Sequence, residues 1–248
     1  MKAIADLLGL SAGEVVSLCG CGGKTTLLWG LARYFAHERV LVTTSTKIGR
    51  PSRDKYDSVT DAKKIGDLLF PANVAPGVHL AGTLYEDKTH VKSLRLSDLE
   101  AIIPSFDKTF IEADGSRLLP VKGWEKHEPV IPAFTTLTIG VATIWAEGRV
   151  IDENTVHRPH IFCRIAGAKP GEALSLAHMA RATAHPEGLM ARAIGRKILL
   201  INQLDDDAAI NRARDFIALL PPTFLNGLEA VIGASARLGT ATLLRNNK

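Results

Sequence analysis

The sequence has 248 residues, of which 46% are hydrophobic and 23% charged, and 30 Lys and Arg against 26 Asp and Glu give a formal net charge of +4. A chain of this length can bury a sizeable core as one large or two small domains. The basic residues are scattered, and no apolar stretch approaches the ~20 residues that span a bilayer, which argues against a nucleic-acid partner and a membrane. Three cysteines do not make a disulfide framework, so we expect a cytoplasmic protein.

Short apolar runs and amphipathic segments alternate along the chain. Near-continuous apolar runs predict buried strands at 15–19, 40–44, 78–80, 109–113, 137–141, 198–202 and 230–234. Apolar residues at helical spacing lie between several of them and predict helices within 27–35, 174–184 and 210–220. This alternation predicts an α/β fold with a mostly parallel sheet that helices cover on both faces. We expect a single domain over 1–248, with an irregular, proline-containing insertion at about 115–136.

A glycine-rich segment follows the first predicted strand and opens the first predicted helix. Such a turn lets backbone N–H groups converge on phosphate oxygens, and the helix N-terminus adds partial positive charge. The form is G-x-x-G-K-T-T, shorter than G-x-x-x-x-G-K-[ST], because Leu18 stands where the first glycine would be. Lys24 would reach the β and γ phosphates, and Thr25 would hold Mg²⁺. We therefore predict a P-loop NTPase-like fold with nucleotide phosphates on Gly20, Cys21, Gly22, Gly23, Lys24, Thr25 and Thr26.

Two carboxylates end the strand predicted at 109–113. Glu112 and Asp114 are two residues apart, so in an extended chain they point to the same side. A P-loop site usually takes a carboxylate from a neighbouring strand to hold Mg²⁺ or its waters. Either acid could contact the metal together with Thr25, and the alternative is a solvated strand end.

A hydroxyl-rich segment, 43–47, follows the second predicted strand, where P-loop proteins commonly carry switch elements. Its hydroxyls could meet Mg²⁺ or the γ-phosphate, although a plain Ser/Thr-rich turn would use the same residues. We predict the catalytic set to be Lys24, Thr44, Glu112 and Asp114.

The strand predicted at 198–202 ends in N-x-x-D, which resembles the N-K-x-D element that reads guanine in GTPases. A carboxylate at Asp205 would accept hydrogen bonds from N1–H and the exocyclic amine of guanine, whereas adenine would leave it unsatisfied, at ~1 to 3 kcal/mol. About thirty residues later, Ser-Ala ends another predicted strand, similar to the S-A-K loop of GTPases. Gln203 replaces the usual lysine. The base-binding residues are predicted to be Asn202, Asp205, Ser235 and Ala236, with GTP favoured over ATP.

Two further groups of residues carry chemistry. Cys19 and Cys21 flank Gly20, so either they form thiolates favoured by the helix N-terminus or they are simply small residues tolerated in a crowded turn. Charged residues in the proline-rich middle segment and in the later V-H-R-P segment look like a substrate or switch site, although surface ion pairs would use the same residue types. The residues predicted for this site are Lys47, His127, Glu128, His157 and Arg158.

The order of these motifs resembles that of the YqeC family: G-x-G-G-K-T-T, T-T-S-T-K-I, E-A-D-G-S, H-E-P-V-I-P, V-H-R-P and I-N-Q-L-D span most of residues 15–205. The resemblance implies an accessory protein for selenium-dependent molybdenum hydroxylases, associated with selenium cofactor biosynthesis. It also implies nucleotide phosphates at 20–26. The motif positions that it implies outside this loop are Glu112, Asp114, His127, Glu128, His157 and Arg158.

Three functions follow from these predictions. The first is a Mg²⁺-dependent GTPase whose nucleotide cycle drives cofactor maturation, with a molybdenum hydroxylase or a cofactor-maturation protein as partner. The second is an ATP-dependent transferase or ligase that activates a small acid or a selenium species, and the third is a nucleotide-gated escort without turnover. A homodimer could complete the site through an arginine supplied in trans, for which the candidates are Arg50, Arg53 and Arg158.

Overall fold

The computed structural model of the protein describes residues 1–62, 74–86 and 89–247. The first half of these ranges contains α1 (Lys2–Leu8), β1 (Glu14–Gly20), α2 (Lys24–Tyr34), β2 (Arg39–Thr44), β3 (Lys47–Gly49), β4 (Ser58–Asp61), β5 (Gly77–Leu84), β6 (His90–Lys92), α3 (Leu96–Ile102) and β7 (Lys108–Glu112). The second half continues with β8 (Val121–Lys122), β9 (Leu137–Thr143), β10 (Val156–His157), α4 (Pro159–Ala166), α5 (Leu176–Ala184), β11 (Arg196–Asn202), α6 (Asp207–Ala218), α7 (Pro222–Asn226), β12 (Ala230–Ser235) and β13 (Thr240–Asn246).

Within the described ranges, one 11-stranded sheet has the strand order β13-β12-β11-β9-β1-β7-β2-β5-β6-β3, and β4 pairs with β5. All pairings from β12 to β5 are parallel, while β13, β6 and β3 pair antiparallel. β1 lies between β9 and β7 near the middle of the sheet, so the loops after these three strands meet at one sheet edge. Ligands of open α/β sheets bind at this carboxyl edge.

Helices cover the sheet on both faces. Alternate residues of β1 point to opposite sides: Val16 and Leu18 pack with α1 and α2, whereas Val15 packs with α3. Further along the sheet the second face is covered by α4, α5 and α6, where Cys19, Leu199 and Ile201 are buried. The prediction of an α/β, P-loop NTPase-like fold with a mostly parallel sheet is confirmed.

The predicted strands all form, and most of them extend beyond their predicted bounds. The middle segment 115–136 contains the short strand β8, which pairs in parallel with β10 and brings Lys122 beside His157. In the described residues, no helix combines the length and the hydropathy needed to cross a membrane.

Candidate nucleotide site

The glycine-rich loop forms at the centre of the carboxyl edge, between β1 and α2. Gly20, Gly22 and Gly23 all have positive φ, of 99°, 81° and 107°. A Cβ at Gly20 would lie 2.1 Å from the Val141 carbonyl oxygen, and one at Gly22 would lie 2.5 Å from the Thr143 side chain. Glycine is therefore required here both by backbone conformation and by the close approach of β9.

Only part of this loop is free to meet phosphate. The Gly20 N–H donates to both Asp114 oxygens, at 3.0 and 3.1 Å, and the Cys21 N–H donates to the Val141 carbonyl. Among the described residues, the N–H groups of Gly22 and Gly23 have no acceptor, and Gly23 is the N-cap of α2. The N–H groups of Gly20 and Cys21 are thus already bonded to neighbouring strands or to the residues that follow them, and phosphate contact at 22–26 stays a prediction.

Lys24, the first residue of α2, is buried and points back into the loop. Its Nζ donates to the Gly20 carbonyl at 2.6 Å and lies 3.2 Å from Asp114 and 3.8 Å from Glu112. Burial disfavours the charge on Lys24, but the two carboxylates outweigh it and raise its pKa above the ordinary value. Lys24 therefore stays cationic at the point where the loop closes.

Asp114 is fully buried and fixes three segments of chain. Besides the Gly20 N–H and Lys24, it pairs with Lys122 Nζ at 3.1 Å and accepts from Trp124 Nε1 at 2.9 Å. Burial opposes its charge, yet Lys24 and Lys122 hold the pKa of Asp114 below its ordinary value. Lys122 and Trp124 lie in the segment predicted to be an irregular insertion, and no local pattern predicts that they reach the loop.

Glu112 has a different environment from Asp114. Its Oε2 accepts from the Thr25 hydroxyl at 3.4 Å, and Thr25 itself is exposed at the start of α2. Burial raises the pKa of Glu112, with Lys24 acting in the opposite direction. One carboxylate beside one hydroxyl fits Mg²⁺, which takes few protein ligands and completes its shell with phosphates and waters. Within the described residues, no group of three or more His, Cys, Asp or Glu could hold a metal alone.

The hydroxyl-rich segment 43–47 packs against the end of β7. The Thr44 hydroxyl donates to the Glu112 carbonyl at 2.8 Å and accepts from the Thr46 N–H at 3.0 Å. Ser45 donates to the Val130 carbonyl at 2.5 Å. The segment therefore ties the end of β2 to the backbone carbonyl of Glu112 and to the middle segment, and direct contact of Thr44 with nucleotide stays a prediction.

The residues predicted to bind the base come together beside the glycine-rich loop. Asn202 Nδ2 donates to the Gly22 carbonyl at 2.8 Å, and its Oδ1 accepts from the Ala236 N–H at 2.9 Å. Asp205 accepts from Ser235 Oγ at 2.6 Å and from the exposed Arg237 at 2.7 Å. One buried amide thus joins the phosphate loop to the loop after β12, and a partly exposed carboxylate stands at its rim.

The cysteines of the loop are neutral. Burial, with a contribution from Asp114, raises the pKa of Cys19 well above its usual range, and burial raises the pKa of Cys21 to about 12. Cys19 Sγ faces carbonyl oxygens of Ile139 and Leu189. The thiolate interpretation is therefore wrong, because the apolar surroundings outweigh the effect of Lys24.

A cleft of about 780 Å³ lies beside these loops. Four of the five residues predicted for the substrate or switch site line it, namely Lys47, Glu128, His157 and Arg158. His127 is not among them: it is exposed on a separate groove with Arg192 and Pro129. Partial burial, together with Arg158, Lys122 and Arg117, lowers the pKa of His157 to about 4, so its imidazole is neutral at physiological pH.

The three arginines considered for a role in trans all have partners within the chain. Arg158 donates to Glu128 at 2.6 Å, Arg50 to the Tyr56 hydroxyl at 3.2 Å and Arg53 to the Tyr56 carbonyl at 2.7 Å. Arg158 is thus part of the cleft wall of its own chain, and an arginine supplied by a second copy stays a prediction.

A parallel α/β sheet with a Gly-Lys-Thr loop at its central carboxyl edge defines a P-loop NTPase-like protein. A family model described as "YqeC protein" matches residues 16–160, more than half of the chain, and the chain belongs to the YqeC family. It is similar to the "Uncharacterized protein YqeC" of Escherichia coli (strain K12), with 28% identity over 235 residues that cover 92% of this chain and 90% of the relative.

Proposed function

We propose that the protein binds a Mg²⁺-nucleotide, GTP in preference to ATP, and hydrolyses it as an accessory factor in maturation of the cofactor of selenium-dependent molybdenum hydroxylases. The cofactor role rests on the family resemblance. The nucleotide role rests on the contacts of Asn202, which bridges the phosphate loop and the loop after β12 at 2.8 and 2.9 Å. Because one side chain contacts both loops, it would hold the base site at a fixed position relative to the phosphate site.

The metal would be held by Thr25 and Glu112. Bound Mg²⁺ supplies charge neutralisation on the β and γ phosphates. Lys24 carries a fixed positive charge to the same phosphates, and Asp114 holds both Lys24 and the Gly20 N–H in position. Of the two predicted metal ligands, Glu112 is favoured, because all the surroundings of Asp114 are protein donors.

Guanine selection would depend on Asp205. Its partner Arg237 is 73% exposed at the side chain, so a base could displace it at small cost, while Ser235 would keep the carboxylate oriented. Guanine offers two donors to the carboxylate, and adenine offers an acceptor that leaves it unsatisfied. We expect at least a tenfold preference for guanine nucleotides, about 1.4 kcal/mol.

Isothermal titration of GTP, GDP, ATP and ADP with Mg²⁺ tests this function. Lys24→Ala should remove binding of all four nucleotides, and Asp205→Ala should remove only the guanine preference. Asp207→Ala is the matched control, since it deletes a neighbouring exposed carboxylate on α6. Equal binding of ATP and GTP with a silent Asp205→Ala would overturn the guanine assignment.

A second function, an ATP-dependent transferase or ligase, is favoured by one observation. The cleft of about 780 Å³ is lined by Thr46 and Lys47, which belong to the hydroxyl-rich segment that Thr44 bonds to Glu112, so an acceptor substrate could sit near the γ-phosphate. Release of ADP that depends on an added small acid would support this function. Nucleotide hydrolysis that is indifferent to small acids would count against it.

A further inference from the structure

The cleft beside the phosphate loop is walled mostly by polar side chains from three segments. The loop after β2 contributes Thr46 and Lys47, the segment after β7 contributes Gly115 and Arg117, and the turn before α4 contributes His157 and Arg158. The first segment bonds to Glu112 through Thr44, the second accepts from Lys122 at the Gly115 carbonyl, and the third pairs with Glu128 through Arg158. The cleft is therefore a neighbour of that site with its own lining.

The cationic side chains of the cleft are disposed to meet an anion. Arg117 is exposed and, within the described part of the chain, has no hydrogen-bond or ion-pair partner. Lys47 Nζ lies 4.5 Å from the centre of the Tyr85 ring, and no carboxylate of the described residues forms an ion pair with it. The two carboxylates of the lining are Glu153, on the exposed turn, and Glu128, which is already paired with Arg158 and Lys122.

The backbone at Arg117 is held in a costly conformation. Arg117 and Leu118 have φ of 52° and 64°, and Arg158 has φ of 61°. Non-glycine residues are disfavoured in this region, because their Cβ comes close to the following carbonyl oxygen. Two of the three are arginines that line the cleft, and strain of this kind clusters at ligand sites.

Alternating charges connect the cleft to the phosphate loop. Arg158 contacts Glu128 at 2.6 Å, Glu128 contacts Lys122 at 3.1 Å, and Lys122 contacts Asp114 at 3.1 Å. Asp114 in turn accepts from the Gly20 N–H and pairs with Lys24. Lys122 is fully buried, so solvent does not screen the middle of this chain of contacts.

From these observations we infer that the cleft is a second ligand site, for a small oxyanion such as a carboxylate or a phosphate group, which binds to Arg117 and Arg158. An anion at Arg158 competes for its guanidinium with Glu128, at 2.6 Å, and with Glu125, at 3.4 Å. The resulting change in the Glu128–Lys122–Asp114 contacts reaches the loop that would hold nucleotide, so the two ligands change each other's affinity by the same factor. The anion site stands on the cleft alone, whereas the coupling rests on the proposed nucleotide function.

Direct titration of malonate and of inorganic phosphate, each against the full chain without nucleotide, tests the site. Arg117→Gln should weaken binding at least tenfold, since a charge-assisted hydrogen bond is lost. Arg214→Gln, the same change on the exposed surface of α6, should have no effect. Lys24→Ala should weaken malonate binding much less than Arg117→Gln does, because the phosphate loop is not the site and reaches it only through Asp114.

The two probes distinguish the source of the oxyanion. Binding of malonate but not phosphate assigns a carboxylate ligand, and the reverse assigns a phosphate ligand, provided that Arg117→Gln removes it. Loss of binding in Lys24→Ala with Arg117→Gln unaffected would mean that the anion sits on the phosphate loop and would overturn the inference. If neither malonate nor phosphate binds at millimolar concentration, the inference is overturned as well.

The coupling is measured by repeating the nucleotide titration with the anion at saturation. We expect the anion to change the nucleotide Kd at least threefold and the nucleotide to change the anion Kd by the same factor. Both changes should disappear in Glu128→Gln. Should Glu128→Gln fail to fold, Arg117→Gln gives the same readout, because it removes the anion. If no nucleotide binds but malonate binding still depends on Arg117, the proposed function fails and the anion site stands; an unchanged nucleotide Kd overturns the coupling.

Discussion

At the scale of single residues, Glu112 at the end of β7 and Asp114 just after it contribute unequally to stability. Asp114 balances two buried lysines, so Asp114→Asn leaves both cations without their shared partner and should cost about 3 to 5 kcal/mol of unfolding free energy. Glu112 is itself disfavoured by burial, which raises its pKa, and Glu112→Gln should change stability by less than about 1 kcal/mol. Urea unfolding of the two variants at neutral pH compares them, and equal losses would contradict the division of roles.

The imidazole of His157 should titrate far below the ordinary value. Its pKa of about 4 follows from burial and from the neighbouring cations Arg158, Lys122 and Arg117. Because the unfolded chain takes up this proton near pH 6.5, this residue makes stability fall as the pH drops from about 6.5 towards 4. An NMR titration, with His157→Gln for assignment, should show the low value, and Arg117→Gln should raise it. Titration near 6.5 would contradict the environment described for the cleft.

At the scale of elements, the turn from β1 into α2 depends on the absence of a side chain as well as on backbone conformation. Gly22 and Gly148 have the same φ of 81°, but an added Cβ at Gly22 meets Thr143 at 2.5 Å, whereas Gly148 has nothing within 4 Å. Thr143 is fixed in β9 and donates to Gln203 at 2.6 Å. Gly22→Ala should therefore be less stable than Gly148→Ala by about 1 to 3 kcal/mol, measured by urea unfolding. Similar losses in the two variants would mean that the turn or Thr143 shifts to accommodate the added methyl group.

The elements that the sequence predicted are those with a local signal. Buried parallel strands are apolar throughout, and all seven of them form. β13 was missed because its residues are partly or fully exposed and carry no apolar run, and β3 and β6 have only three residues each. Among site residues, the Gly-Lys-Thr loop and Asn202 follow strands and were predictable. Lys122, Trp124 and Arg117 reach the site from the segment 115–136, which has no local signal beyond its prolines, so only tertiary packing determines its path.

At the scale of the whole molecule, the two edges of the sheet have separate tasks. The carboxyl edge carries the candidate site. At the amino edge, Arg196 at the start of β11 joins three other segments: it pairs with Glu14 at 2.7 Å and Glu229 at 2.8 Å, and it donates to the Leu8 carbonyl at 2.8 Å and the Gly9 carbonyl at 3.4 Å. These partners raise the pKa of Arg196 above its ordinary value. The folded state thus stabilises the charged form of Arg196, and Glu14 is buried beside it.

Arg196→Ala should lower the free energy of unfolding by about 3 to 5 kcal/mol, because Glu14 and Glu229 then lose their shared cation. The nucleotide Kd should stay within about twofold of wild type, since the substitution is at the opposite edge from the phosphate loop. Lys24→Ala is the complementary variant and should remove nucleotide binding. Urea unfolding and nucleotide titration on both variants test the separation. A loss of nucleotide affinity in Arg196→Ala would show instead that strand order at the amino edge controls the geometry of the loop.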